Sequence, residues 1–264
     1  MRAKLKRLDT QWGRAYVLGE GKEAQFLPSV TTILSLVSSA YLADLEREIG
    51  KDELKKISDR AAIRGTAMHK FLENFVICLK KCGDLEKSLL YTQRKSTDEL
   101  LHDFDKATVD SGRALFYNIY HSGMFKDVKK VLLSEGFLYS EKYLYAGATD
   151  FCFADWASKI VITDFKSASS PRGEETVKKY KLQGGAYSIA FEEMYDRKVD
   201  RIEIWISHPD GIQREIVSGA DLTESKGMFL EYANQFRLMW EEDKIRTFYE
   251  QQTIYIRKLF HTTE

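Results

Sequence analysis

The chain has 264 residues, 44% of them apolar, enough to bury a substantial core in one large domain or one domain carrying an insertion. Its 40 basic and 40 acidic residues cancel, which argues against a globally basic nucleic-acid binder but leaves room for a local positive groove. No apolar run approaches a bilayer span, the basic start MRAKLKRLDTQWGR lacks the apolar centre of a signal peptide, and three cysteines suit a reducing compartment better than a disulfide framework. The expectation is a cytoplasmic protein without membrane contact.

Residues 12 to 27 predict a short hairpin around Gly19-Glu20-Gly21, after which Ser29 caps a short helix over VTTILSLV. From Ala40 to Lys81 the pattern is helical, with Ile63, Ala67, Phe71, Phe75 and Leu79 on one buried face. Residues 84 to 122 are again mostly helical and polar, anchored by Leu100, Leu101, Phe104, Leu115 and Phe116. Beyond Lys130 come three predicted strands, VLLSEGFLYS, KYLYAGATDFCFAD and KIVITDFKS. A helix follows over Glu174 to Asp196, then strands RIEIWISH and IQREIVS joined at Pro209-Asp210-Gly211, and a helix from Asp221 to about Lys244. This order predicts an α/β fold with a mixed central sheet in one continuous unit over 1–264: a mostly helical part over 1–130, a sheet core over 131–218, and a C-terminal helix and tail over 219–264.

Aspartates interrupt the second and third of these strands. If their connecting turn is centred on Ala157, Asp150 and Asp164 are equidistant from the centre and face each other, with Cβ atoms about 5 Å apart. Like charges so placed need something positive between them, and a divalent cation is the simplest candidate. Alternation along the third strand puts Ile162, Asp164 and Lys166 on one face, so Lys166 projects beside Asp164. Oxygen donors of this kind suit magnesium or manganese, with a lysine able to orient an attacking water and offset phosphate charge. Asp-x-Lys by itself is common, so the neighbours matter. In the following helix, Gln183 and Tyr187 lie one turn apart on one face. Upstream, RGTAMH places Arg64, Thr66 and His69 within two turns; Glu73 is placed to bond the second ring nitrogen of His69, and Gly65 hints at a close backbone approach. Glu135, alone in an apolar strand, requires a partner: a metal site or a neighbouring arginine.

Taken together, Glu135, GATD (Gly147 to Asp150), DFK (Asp164 to Lys166) and QGGAY (Gln183 to Tyr187) resemble, in order and spacing, the PD-(D/E)XK nuclease superfamily. RGTAMH is similar to the histidine motif of its RecB-like branch, and with PSVTTILS it looks most like the mitochondrial genome maintenance exonucleases and related phage exonucleases. The resemblance covers roughly residues 28 to 195 and implies an αβββαβ, restriction-endonuclease-like core and a Mg²⁺- or Mn²⁺-dependent deoxyribonuclease using one or two ions. It implies metal ligation by His69, Asp150, Asp164 and the backbone carbonyl of Phe165. Lys166 would act on the attacking water with Glu135 in support, and Gln183 and Tyr187 would contact substrate. Ser29, Thr31, Thr32, Arg64 and Thr66 become candidate phosphate contacts, and the helical part a wall or arch over the site. Thr149 departs from the namesake proline, a change RecB-like members tolerate. Some relatives hold an iron–sulfur cluster on four cysteines; with three, and none beyond Cys152, no cluster is expected. The implied function is a DNA exonuclease preferring single-stranded ends in replication, repair or recombination, more readily monomeric than oligomeric, with a replication or recombination protein as a possible partner. Its rivals are a duplex exonuclease, a flap endonuclease and an inactive DNA-binding module.

Overall fold

The computed structural model describes residues 5–10, 13–20, 24–35 and 50–241. A five-stranded sheet carries strands β4 (Val128–Ser140), β5 (Tyr145–Asp155), β6 (Ile160–Ser167), β7 (Arg201–His208) and β8 (Gly211–Ser218), adjacent in that order. All neighbours are antiparallel except β6 and β7. A parallel pair requires a long crossover. Helix α4 (Glu174–Tyr195) supplies it, since the chain leaves β6 and returns in β7 through that helix. Ahead of the sheet lie α1 (Lys51–Cys82), α2 (Leu85–Leu100) and α3 (Lys106–His121), and after it α5 (Gly219–Glu241). The mixed α/β fold with the αβββαβ order is therefore present. Among the described residues no helix is long and apolar enough to cross a membrane.

Each face of the sheet has its own core. Ile160 and Ile162 of β6 pack with Tyr187 and Phe191 of α4 and Phe229 of α5. Val161 and Phe165, from alternate positions, pack with Phe71 and Phe75 of α1, Phe116 of α3 and Trp205 of β7. Burial on both sides explains why this strand reads as a nearly continuous apolar run. The paired glycines of α4 set its depth: a Cβ at 184 would lie 2.4 Å from Ile202 Cδ1, and one at 185 would lie 2.9 Å from the Ser225 carbonyl. These small residues let α4 settle against both the sheet and α5.

Two expectations are corrected. Ile63 is 41% exposed and Leu101 49% exposed, so the buried stripe of α1 begins at Ala67 and Leu100 alone anchors the end of α2. The predicted hairpin is the β2 (Gly13–Leu18) and β3 (Gln25–Pro28) pair, to which β1 (Leu5–Thr10) adds an unforeseen third strand. This small sheet is held by Tyr16, Leu18 and Leu27 against Tyr139 and Ala146. The helix after Ser29 covers residues 30–35; its predicted continuation, the expected helix start near Ala40 and the C-terminal tail lie outside the described residues.

Candidate active site

The β5–β6 hairpin has the expected register. Phe151 pairs with Thr163, Cys152 with Ile162 and Phe153 with Val161, so the next step along each strand brings Asp150 and Asp164 together. The turn closes with Ser158 N–H donating to the Asp155 carbonyl at 2.8 Å. Burial along β5 changes parity near these acids. Tyr145 donates to the Ala186 carbonyl of α4 at 2.8 Å, whereas Phe151 and Phe153 face the α1–α3 core. On β4, Glu135 lies between Ser134, paired with Phe151, and Gly136, paired with Thr149, which sets it opposite Asp150. Glu135 adopts φ +47°, the left-handed region that costs a side-chain-bearing residue about 1–2 kcal/mol. Strain of this kind gathers at functional sites.

Helix α1 crosses the same end of the sheet. Gly65 makes the approach possible, since a Cβ there would sit 3.1 Å from Ser167 Oγ. His69, one turn on, has Nδ1 3.8 Å from Asp150 Oδ2. His69, Glu135 and Asp150 offer ligand atoms all within 4.8 Å of one another. One imidazole and two carboxylates form a donor set that fits a divalent cation. Glu135 is exposed as a residue, but protein crowds its carboxyl; that desolvation first, and then the charges of Asp150, Glu73 and Asp164, push it up to about 8. A cation among these acids would relieve that repulsion.

Asp164 stands beside this cluster at 4% exposure, its Oδ2 in contact with the Lys166 ammonium at 2.5 Å and otherwise without a hydrogen-bond partner among the described residues. Burial pushes its carboxyl up to about 6; Lys166 pulls the other way and Asp150 adds to the rise. Burial works against the Lys166 ammonium, but Asp164 and Asp150 outweigh it and leave its pKa raised. From Lys166 a chain of hydrogen bonds runs into α4: Nζ donates to Gln183 Oε1 at 3.1 Å, and Gln183 Nε2 donates to Tyr187 Oη at 2.8 Å. Tyr187 is buried, and burial followed by the Asp164 charge holds its phenol well above the ordinary range. The Phe165 amide donates to Asp150 Oδ2 at 2.7 Å and fixes that carboxylate.

His69, Glu135, Asp150, Asp164, Lys166, Gln183 and Tyr187 thus share one groove of about 840 Å³. Among the predicted phosphate contacts, Thr31 and Thr66 line it, while Ser29, Thr32 and Arg64 do not. Ser29 is instead buried, its Oγ accepting from Thr32 N–H at 2.9 Å as the cap of the short helix. Glu73 is ion-paired with Lys70 at 3.4 Å rather than bonded to His69. Sequence reasoning missed three neighbours. Tyr180 holds its ring 5.0 Å from Lys166 Nζ and was findable, being one turn before Gln183. Arg7 and Arg14 line the groove from the small sheet with no local signal to announce them.

Comparison with known proteins gives little. No known family matches the chain, and no curated protein does. Among solved structures, a chain described as "Putative exonuclease" from Eubacterium rectale matches at TM-score 0.45 and 13% identity, over 67% of this chain and 66% of that one. A second, SSO0001, matches at TM-score 0.33 and 13% identity, over 66% of this chain and 74% of the other. Likenesses this distant carry no inference about activity, and the reading of the site rests on its own chemistry.

Proposed function

We propose that the protein is a metal-dependent deoxyribonuclease that hydrolyses phosphodiester bonds at single-stranded DNA ends. The observation that carries this reading is the His69–Glu135–Asp150 cluster beside Asp164 and Lys166 in one groove. His69, Glu135 and Asp150 would hold a divalent cation, Mg²⁺ or Mn²⁺, with Asp164 and the Phe165 carbonyl adjacent; when bound, it supplies positive charge beside the scissile phosphate. The protein's own groups account for the rest. Phe165 N–H orients Asp150, so the carboxylate is aimed before any ligand arrives. Lys166 Nζ, held between Asp164 and Gln183, keeps a positive charge at the wall, where it can offset charge on the phosphate and orient the attacking water by a hydrogen bond. Gln183 and Tyr187 set the height of that ammonium rather than touching the reacting atoms themselves. On this reading the helical wall of α1 and α2 and the small sheet admit a strand end between them.

The test is incubation of end-labelled single-stranded, duplex and flapped DNA with Mg²⁺ or Mn²⁺, comparing wild type with Asp164→Ala and Lys166→Ala. Loss of about 100-fold or more in either variant is expected, in the range seen for removal of an electrostatic catalytic group. Equal activity in all three proteins refutes the site. Absence of cleavage by wild type on every substrate favours an inactive DNA-binding module. Cleavage of circular single strands as readily as linear ones refutes the requirement for ends.

A further inference from the structure

The small sheet has no part in the chemistry above, yet it brings two arginines to the groove. Arg7 pairs with Tyr16 across β1 and β2, and Arg14 precedes Tyr16 by two residues, so the three share one face of that sheet. Tyr16 is 1% exposed and Leu18 buried, which clamps one end of the face onto Tyr139 and Ala146. Arg7, directly beside Tyr16, and Arg14, one step further along the same face, are both exposed and line the wall of the groove. Arg7 lies near enough to Glu135 for its charge to be felt there.

Beside this face stands Phe137. The residue is 42% exposed, and its ring meets Tyr16 edge-on, with centroids 5.9 Å apart at 73°. Its cross-strand neighbour Ala148 lines the groove, and Glu135 of the cluster is two residues back along β4. Single exposed apolar side chains are ordinary. This one is held by an aromatic contact and lies beside the groove, one cross-strand step from its wall at Ala148.

We propose that Arg7, Arg14 and Phe137 form a strand-holding surface outside the metal cluster, the arginines taking phosphates of a single polynucleotide strand and Phe137 stacking on one of its bases. The inference rests on the nuclease reading above. It requires an unpaired strand, because a duplex offers no free base face to the ring.

Binding without turnover tests it. A short fluorescein-labelled oligodeoxythymidylate is titrated with full-length protein in EDTA over a range of salt concentrations, with fluorescence anisotropy as readout. Each phosphate contact on a single strand contributes about 0.7 to the slope of log affinity against log salt, so R7Q/R14Q should flatten the slope by about 1.4. Phe137→Ala should weaken binding about tenfold at unchanged slope, and Phe137→Trp should restore it. An R7Q/R14Q slope equal to wild type, or Phe137→Ala binding as tightly as wild type, overturns the proposal. So does wild type that cleaves DNA with metal but binds no oligonucleotide in EDTA, which leaves the nuclease reading standing. Wild type that neither binds nor cleaves overturns the nuclease reading itself.

Discussion

Gly112 of α3 decides how closely that helix crosses α1, and replacing it with alanine sets two effects of opposite sign against each other. Within a helix, Gly→Ala gains about 1 kcal/mol of propensity. Here the added Cβ would lie 2.4 Å from Ala67 Cβ, 2.8 Å from the Ala67 carbonyl carbon and 2.9 Å from Met68 N. Ordinary carbon contacts are about 3.5–4.0 Å, so the deficit is roughly 1 Å, and two of the three opposing atoms are backbone. Side-chain rotation cannot relieve it; the helices must part. Overpacking of this kind costs about 1–3 kcal/mol, and the backbone clash places it in the upper half. The net expectation is destabilisation by about 1–2 kcal/mol, or a Tm lower by about 2–8 °C for a domain of this size. Gly227 of α5, with open space where its Cβ would go, isolates the propensity effect; Gly227→Ala should stabilise by up to about 1 kcal/mol. Urea unfolding followed by circular dichroism reads both, as shifts of midpoint at constant m. Because His69 adjoins Met68, parting the helices should also weaken Mn²⁺ binding measured by calorimetry. If Gly112→Ala raises the midpoint as Gly227→Ala does, the close crossing is wrong.

Three further outcomes follow from other contacts. Glu203, fully buried, accepts from Arg201 Nε at 2.7 Å, Arg214 Nη2 at 2.8 Å and Trp205 Nε1 at 2.8 Å, so Glu203→Gln should cost about 3 kcal/mol in the same urea experiment by leaving two guanidinium groups without their shared counter-charge. Because Glu135 sits at φ +47°, Glu135→Gly should be more stable than Glu135→Gln by about 1 kcal/mol, while both lose Mn²⁺ affinity; equal stability would mean the strain is absent. The Cys82 thiol is exposed and its pKa is lowered, by the Ser88 hydrogen bond first, whereas burial pushes the Cys152 thiol up to about 12. Iodoacetamide at neutral pH should therefore label Cys82 first and Cys152 only after unfolding, as read by peptide mass spectrometry.

What the sequence made legible was whatever depends on local spacing. The tight turn at Ala157 and the apolar alternation on either side determine the β5–β6 register, so the facing of Asp150 and Asp164 could be read from residue positions alone. The same holds for Gln183 and Tyr187, one helical turn apart and hydrogen-bonded as their spacing suggests. Helix α2 shows the limit of that method. Its buried side is Ser88, Thr92, Ser96 and Leu100, and the first hydroxyls are satisfied within the helix, Ser88 by the Asp84 carbonyl and Thr92 by the Ser88 carbonyl. A search for apolar period passes over a stripe of this kind, because a hydroxyl bonded one turn back can be buried without announcing it.

The rest of the groove is assembled by pairings between distant parts of the chain. Glu135 was visible as an acid needing a partner, but its left-handed backbone, which goes with its place opposite Asp150, has no signature in VLLSEGFLY. Arg7 and Arg14 lie in a basic start whose sequence shows only that it lacks the apolar centre of a signal peptide and, from residue 12, enters a hairpin. Only the clamp of Tyr16 and Leu18 onto Tyr139 of β4 and Ala146 of β5, more than a hundred residues later, turns those arginines toward the acids. The groove therefore joins a basic wall, fixed by aromatic packing, to an acidic floor, fixed by hairpin register. Those two devices have separate structural causes, so the first can be altered at Arg7 and Arg14 while the register holding Asp150 and Asp164 is left intact.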